Sequence, residues 1–159
     1  MVKIGIIGGS GLENPSILKD AKEINVKTPY GKPSSPLTIG KISGIDAVIL
    51  SRHGKKHEIM PTNVPNQANV HALKEQGCTH ILVSSAAGSL REDIKPGDFV
   101  FVDQFIDRTT ERKSTFYEKG HVAHIPMAEP FCKYLRGLLA ESAKELNIPY
   151  HEKGTIVTI

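Results

Sequence analysis

Lys3-Ile4-Gly5-Ile6-Ile7-Gly8-Gly9-Ser10-Gly11 decides the fold class. An isoleucine-rich run with no polar alternation predicts a strand covered on both faces, as in the sheets of α/β proteins. Glycines and a hydroxyl follow at once, so the chain turns sharply where that strand ends. The same grammar recurs downstream. Leu37–Ile42 and Ile45–Leu50 predict two strands joined by Ser43-Gly44, a two-residue hairpin signal. Ile81-Leu82-Val83 and Phe99-Val100-Phe101-Val102 predict two more strands. Between them, Gln67–Gln76 places Ala68, His71, Ala72 and Glu75 at helical spacing, with Gly77 fitting a C′ terminator. Glu129–Leu146 predicts a longer helix, in which Leu135, Leu138, Leu139, Ala143 and Leu146 repeat with a helical period. Pro130 stands near its start and Pro149 blocks continuation.

The 159 residues suit one ordinary domain, and a composition of 39 % hydrophobic and 23 % charged residues argues against a disordered chain. The formal charge of +3 is dispersed. Its densest spot, Arg52-His53-Gly54-Lys55-Lys56-His57, is local and has no basic stripe with interleaved aromatics behind it. That pattern suits a small anion and excludes a nucleic-acid face. The two cysteines, Cys78 and Cys132, form no CxxC or CxxH spacing, so zinc is not expected and both are read as buried small hydrophobes. The opening residues are too short an apolar run for a secretory leader, and no run approaches the roughly 18 residues that span a bilayer. A soluble, reduced, cytosolic protein is the expectation. Tyr30–Pro36 and Arg108–His121 are expected to be the loosest stretches. The chain ends on Thr155-Ile156-Val157-Thr158-Ile159, a β-branched run with no polar tail, which predicts the N-terminal portion of a longer protein.

Three strand ends carry the chemistry. They run into Gly8-Gly9-Ser10-Gly11, Ser51-Arg52-His53-Gly54 and Ser84-Ser85-Ala86-Ala87-Gly88-Ser89. Ligands of open α/β sheets collect at carboxyl strand ends. Glycines let backbone N–H groups close on an anion, serines donate hydroxyls, and an arginine forks onto two oxygens while staying charged. Each piece alone has an ordinary reading as a tight turn, a surface pair or a plain βα loop. Together they suit phosphate. The spacing matches neither GxGxxG nor a P-loop.

Several runs, in order along essentially the whole chain, resemble methylthioadenosine phosphorylases of the purine nucleoside phosphorylase family. They are Lys3–Leu12, Thr28–Ser34, Arg52-His53-Gly54, Gln67-Ala68-Asn69, Ala87–Arg91, Asp103–Thr109, His124–Phe131 and Lys153–Ile159. The resemblance implies an α/β, nucleoside phosphorylase-like three-layer fold with a central mixed sheet flanked by helices. Residues 1–159 would form a single incomplete domain whose C-terminal, purine-recognising part is missing. It also implies phosphorolysis: phosphate attacks the anomeric carbon of 5′-methylthioadenosine, releasing adenine and 5-methylthioribose 1-phosphate. No cofactor is implied, inorganic phosphate being a co-substrate, and no nucleic-acid or membrane partner.

By the same resemblance the phosphate ligands fall on Ser10, Arg52, His53, Ser85 and Ala86. His53 would donate from a ring N–H, and Ala86 from its backbone. Ser10 and Ser85 stand where family members often carry threonine, and either side chain supplies the hydroxyl. Ala87 and Gly88 would line the base and ribose pocket. His124 would reach a neighbouring subunit's site beside the methylthio group, in a homotrimer or homohexamer, although the loop before it is short for the family. The catalytic residue is expected beyond Ile159.

Other residues take plainer readings. His57 is a solvated face, His71 a packed or exposed helix residue, and His80 structural. Asp103 and Asp107 order the loop that follows them. Rival functions are a phosphorylase for methylthioinosine or other purine nucleosides, a hydrolytic nucleosidase, a dinucleotide-binding dehydrogenase domain, and a non-catalytic phosphate-binding or assembly module.

Overall fold

The computed structural model describes residues 1–9, 15–117 and 120–159. These fall into two compact units, Met1–Ala86 with Arg112–Phe116, and Ala87–Glu111 with Tyr117–Ile159.

The first unit is a five-stranded mixed sheet, β1 (Lys3–Gly8), β2 (Lys19–Ile24), β3 (Leu37–Ile42), β4 (Ile45–Ser51) and β5 (His80–Val83), with one helix, α1 (Asn66–Glu75). The strand order is β2-β3-β4-β1-β5. β1 lies between β4 and β5 and runs parallel to both, with Ile7 opposite Leu50 and Val83. The carboxyl ends of these three strands therefore emerge side by side. β3 and β4 form the expected antiparallel hairpin. Its turn residues Ser43 and Gly44 have φ of +48° and +83°, both left-handed as a type I′ turn requires.

Alternation across the sheet builds a core on each face. Ile7, Val48 and Leu50 join Leu37 and the α1 residues Ala72 and Leu73 on one side. Ala47, Ile49 and Leu18 pack on the other, with Ile6 and Ile42 against them. β4 is thus covered on both faces, as its unbroken apolar run predicts. β5 is not, and Val83 remains 60 % exposed. Gly77 ends α1 with φ +77°.

Tyr30–Pro36, expected to be loose, is tied down instead. Buried Asn69 of α1 accepts the Ser34 N–H at 2.8 Å and donates to the Ser34 hydroxyl at 2.8 Å. The Ser35 hydroxyl then accepts the Ser51 N–H at 3.0 Å. Arg112–Phe116 is also held: Phe116 and His71 each pack edge-on against Tyr30, and Gln67 Nε2 donates to the Thr115 carbonyl.

The second unit pairs β6 (Phe99–Val100) with β8 (Tyr150–His151), and β7 (Gln104–Asp107) with β9 (Thr155–Thr158), both in parallel, beside α2 (Lys133–Glu145). Three of its features depart from expectation. The strand predicted over Phe99–Val102 is ladder-paired only through Val100, although the Phe101 N–H still reaches the His151 carbonyl at 2.9 Å. α2 starts at Lys133 rather than Glu129. A residue preceding proline avoids helical backbone, which disfavours a start at Glu129, and Phe131 packs edge-on against Phe105 outside the helix. Cys132, expected to be buried, is exposed at that helix start, while Cys78 is half-buried. Burial pushes the Cys78 thiol pKa up.

Asp107 orders the loop that follows it, as expected, whereas Asp103 ties to a distant glycine instead. Asp103 Oδ1 accepts the Gly154 N–H at 3.1 Å, and Asp107 Oδ1 accepts both the N–H and the hydroxyl of Thr109. Among the described residues no helix is long and apolar enough to cross a membrane.

Candidate anion site at three strand ends

The Arg52 N–H donates to the Gly8 carbonyl at 3.0 Å, and the Ser84 N–H donates to the Ile7 carbonyl at 3.1 Å. These bonds carry the parallel pairing of β4 and β5 with β1 slightly past the strands. The Arg52 side chain then crosses the end of β1 to reach the segment after β5. Its Nη1 donates to the Ser84 carbonyl at 3.3 Å and its Nη2 to the Ser85 hydroxyl at 3.2 Å. Gly9, having no side chain, eases the crossing. A Cβ there would lie 3.3 Å from Nη2, tighter than ordinary contact.

His53 completes the cluster. Arg52 Nε donates to His53 Nε2 at 3.2 Å, and His53 Nδ1 lies 2.9 Å from the Ile59 carbonyl. Residues 52–59 form a closed turn. Its backbone bonds run from Gly54 to Ser51, His57 to Gly54 and Ile59 to His53. Gly54 is buried with φ +80°, against the Glu58 carboxylate, which accepts the Lys56 N–H at 2.8 Å.

The electrostatics point to an anion. Arg52 is half-buried, and its side-chain partners are an imidazole nitrogen, a carbonyl and a hydroxyl, all neutral. Among the described residues no carboxylate pairs with it. Burial lowers its pKa from the ordinary value, because desolvation disfavours the charged form. A partly desolvated cation without a counter-ion is costly until an anion arrives. A guanidinium has five N–H donors, so about two remain for a ligand. Ser85 Oγ accepts from Arg52, which leaves its own hydrogen only a long 3.4 Å contact to the Ala86 carbonyl. That hydrogen is available to an oxyanion, and so are the exposed backbone N–H groups of Ser85 and Ala86, which have no partner among the described residues.

Of the sequence-predicted site residues, Arg52, His53, Ser85 and Ala86 therefore stand at one mouth. Ser10 lies outside the described residues. Ala87 and Gly88 open the second unit in exposed, irregular backbone, and a Cβ on Gly88 would meet nothing within 4 Å. His124 belongs to the second unit, exposed in a stretch without regular structure. Three contributors went unread in the sequence: the clearance at Gly9 and the carbonyls of Ser84 and Ile59. His80, read as structural, has Nδ1 2.8 Å from the Thr79 hydroxyl.

The fold defines a class, and comparison agrees: residues 3–159 match the phosphorylase superfamily, to which the chain belongs. Its relatives narrow the likeness. S-methyl-5′-thioadenosine phosphorylase of Danio rerio is 60 % identical over 163 residues, covering 99 % of this chain and 58 % of that protein. The enzyme of the same name from Thermofilum pendens is 55 % identical over 158 residues, covering 99 % and 60 %. Methylthioadenosine phosphorylase from Schistosoma mansoni superimposes with a TM-score of 0.95 at 43 % identity, covering 100 % of this chain and 64 % of that one. The chain has the nucleoside phosphorylase fold and spans about 58 % of the length of the first of these relatives.

Proposed function

We propose that the protein carries the phosphate-binding half of a 5′-methylthioadenosine phosphorylase. The observation that carries the reading is the half-buried Arg52 guanidinium, bound only to neutral partners and reaching across β1 to Ser85. Relatives at 55–60 % identity bear the name of that enzyme. In the reaction, an oxygen of inorganic phosphate bonds to the anomeric carbon while the carbon–nitrogen bond to adenine breaks. Positive charge grows on the ribose ring in the transition state. A dianion fixed beneath that carbon stabilises the charge as it develops. Holding nucleophile and sugar together also removes part of the entropic barrier.

In this assignment Arg52, His53 and the Ser85 hydroxyl bind the dianion, with backbone N–H groups at Ser85 and Ala86, and Ser10 adds a second hydroxyl. Ala87 and Gly88 line the nucleoside pocket. His124 is contributed by a neighbouring subunit of a homotrimer or homohexamer, beside the methylthio group. The enzyme works in the cytosol without a cofactor, on small-molecule substrates.

The test is phosphate-dependent release of adenine from 5′-methylthioadenosine by the purified protein, with adenosine and methylthioinosine as competitors. Arg52→Ala should cost about 100-fold in the use of phosphate and leave nucleoside binding nearly unchanged. Turnover without phosphate, or equal loss of both affinities, defeats the proposal. Adenosine has a specific claim as a second substrate, because a mutant form of the structural relative from Schistosoma mansoni is described as adenosine/methylthioadenosine phosphorylase.

A further inference from the structure

We propose that Ser35 is a positioning residue for the anion site: its hydroxyl bridges the last rung of the β3–β4 hairpin and so fixes the strand end from which Arg52 reaches out. The inference rests on the phosphate-site reading above and extends it to a residue outside the cluster around the guanidinium.

The hairpin register shows why a bridge is needed. Ile42 pairs with Ile45 across the two-residue turn, then Gly40 with Ala47 and Thr38 with Ile49. The pair that flanks such a turn, and every second pair behind it, exchanges both backbone bonds. The next in that series would be Pro36 with Ser51. Proline has no N–H, so half of the rung cannot form. The other half is indirect. The Ser51 N–H donates to the Ser35 hydroxyl at 3.0 Å, and that hydroxyl donates to the Pro36 carbonyl at 2.8 Å. One side-chain oxygen stands between the two backbone groups and serves both. Ser51 is buried, where an N–H without a partner is costly.

The hydroxyl is itself held from behind. Asn69 of α1 accepts the Ser34 N–H and donates to the Ser34 hydroxyl, both at 2.8 Å. Among the described residues the buried polar ones are Asn69, Ser35 and Ser51. With Ser34 they make one line from the helix to the end of β4. A buried polar network whose members are satisfied makes its surroundings rigid.

The line ends at the base of Arg52. The Ser51 N–H is taken on the β3 side by Ser35. The next N–H, that of Arg52, is taken on the β1 side by the Gly8 carbonyl at 3.0 Å. The arginine stem therefore leaves a backbone gripped at both edges. Its head lies several torsions away, on the Ser84 carbonyl and the Ser85 hydroxyl. A small tilt at the base is magnified along that lever. Without the Ser35 hydroxyl, the β1 side alone sets the angle.

Calorimetry of the full chain with inorganic phosphate, at one fixed pH, tests the role. Ser35→Ala should lower phosphate affinity about ten-fold, the mark of a sub-ångström misplacement, since a full 1 Å costs roughly 100-fold. Ser35→Thr keeps the hydroxyl and should stay within about three-fold of the unmodified protein. Ile42→Ala loosens the turn end of the same hairpin, where Ile42 packs on the second apolar cluster, and leaves the last rung alone. It should also stay within about three-fold, as distant sites do. Nitrogen-15 relaxation of the Arg52 guanidinium gives a second reading that needs no anion. Its order should fall in Ser35→Ala and hold in Ser35→Thr and Ile42→Ala.

A Ser35 that merely stabilised the fold would lower the unfolding midpoint in Ser35→Ala and leave phosphate affinity and arginine order untouched. That result overturns the proposal, and so does an Ile42→Ala that weakens phosphate as much as Ser35→Ala. If the extra methyl of threonine prevents folding, the other two variants decide. If the unmodified protein binds no phosphate, the phosphate-site reading fails, and the order of the Arg52 side chain still decides whether Ser35 positions it.

Discussion

The two units are held by different means. In the first, β4 is buried on both faces between two apolar clusters, so its stability comes from area removed from water. In the second, β6 and β8 are two residues each, and the exposed residues of β9 alternate with half-buried ones. There individual polar bonds do the holding. Arg136 of α2 donates to the carbonyls of Phe101 and Glu152, and His151 pairs with Asp98 at 2.9 Å. Burial tolerates the loss of any one bond. A network of single bonds does not.

Substitutions that remove apolar area should therefore separate the units most. Leu73→Ala, at a fully buried side chain, should cost about 2–5 kcal/mol in denaturant unfolding. Leu138→Ala in α2, 42 % exposed, should cost less than about 1 kcal/mol; equal costs would abolish the distinction. Arg136→Ala strands two carbonyls and should cost roughly 1–2 kcal/mol. Hydrogen exchange should locate that loss at Phe101 and the β6–β8 pair and leave α1 protected.

Acid should act on the second unit in the same place. The hydrogen bond from His151 holds the Asp98 carboxyl below its ordinary value, with the Lys95 N–H adding to it. A carboxyl lowered on folding stabilises fully above its unfolded value, near pH 4. That contribution disappears as pH falls through the lowered folded value. Protection of the Phe101 amide, corrected for intrinsic exchange, should thus be constant from about pH 7 to 5 and drop below about pH 4. Asp98→Asn should flatten the profile.

The smallest effect is a gain. Ser43→Asn creates the Asn-Gly pair that a type I′ turn prefers and should add about 0.5 kcal/mol. A loss there would mean that Ser43 holds the hairpin by some contact other than its turn backbone.

What was legible follows local pattern in both units, for α2 in the second was read from its helical period. The strand at Lys3, the hairpin over Leu37–Leu50 and the end of α1 at Gly77 were readable, because apolar runs and turn residues dictate them directly. β2 escaped because Lys19–Ile24 is an exposed edge strand rich in charge, the composition that keeps edges from pairing further. β7 and β8 escaped because neither carries a period. At the candidate site, Arg52, His53, Ser85 and Ala86 could be picked out by type and by position after strands. Their convergence depends on β1 lying between β4 and β5, which no local pattern encodes. The Ser84 and Ile59 contributions come from backbone carbonyls, common to every residue type. Gly9 contributes empty space.

The reach of Arg52 across β1 has a consequence for which cation the position accepts. Its guanidinium sews the extremity of one strand to the loop beyond another, so the groups assigned to phosphate in the proposed function are already held together. Lysine would match the charge, yet one ammonium on a limber stem lacks the flat, three-cornered head that grips imidazole, carbonyl and hydroxyl together. Arginine is demanded here as joinery as much as for its charge.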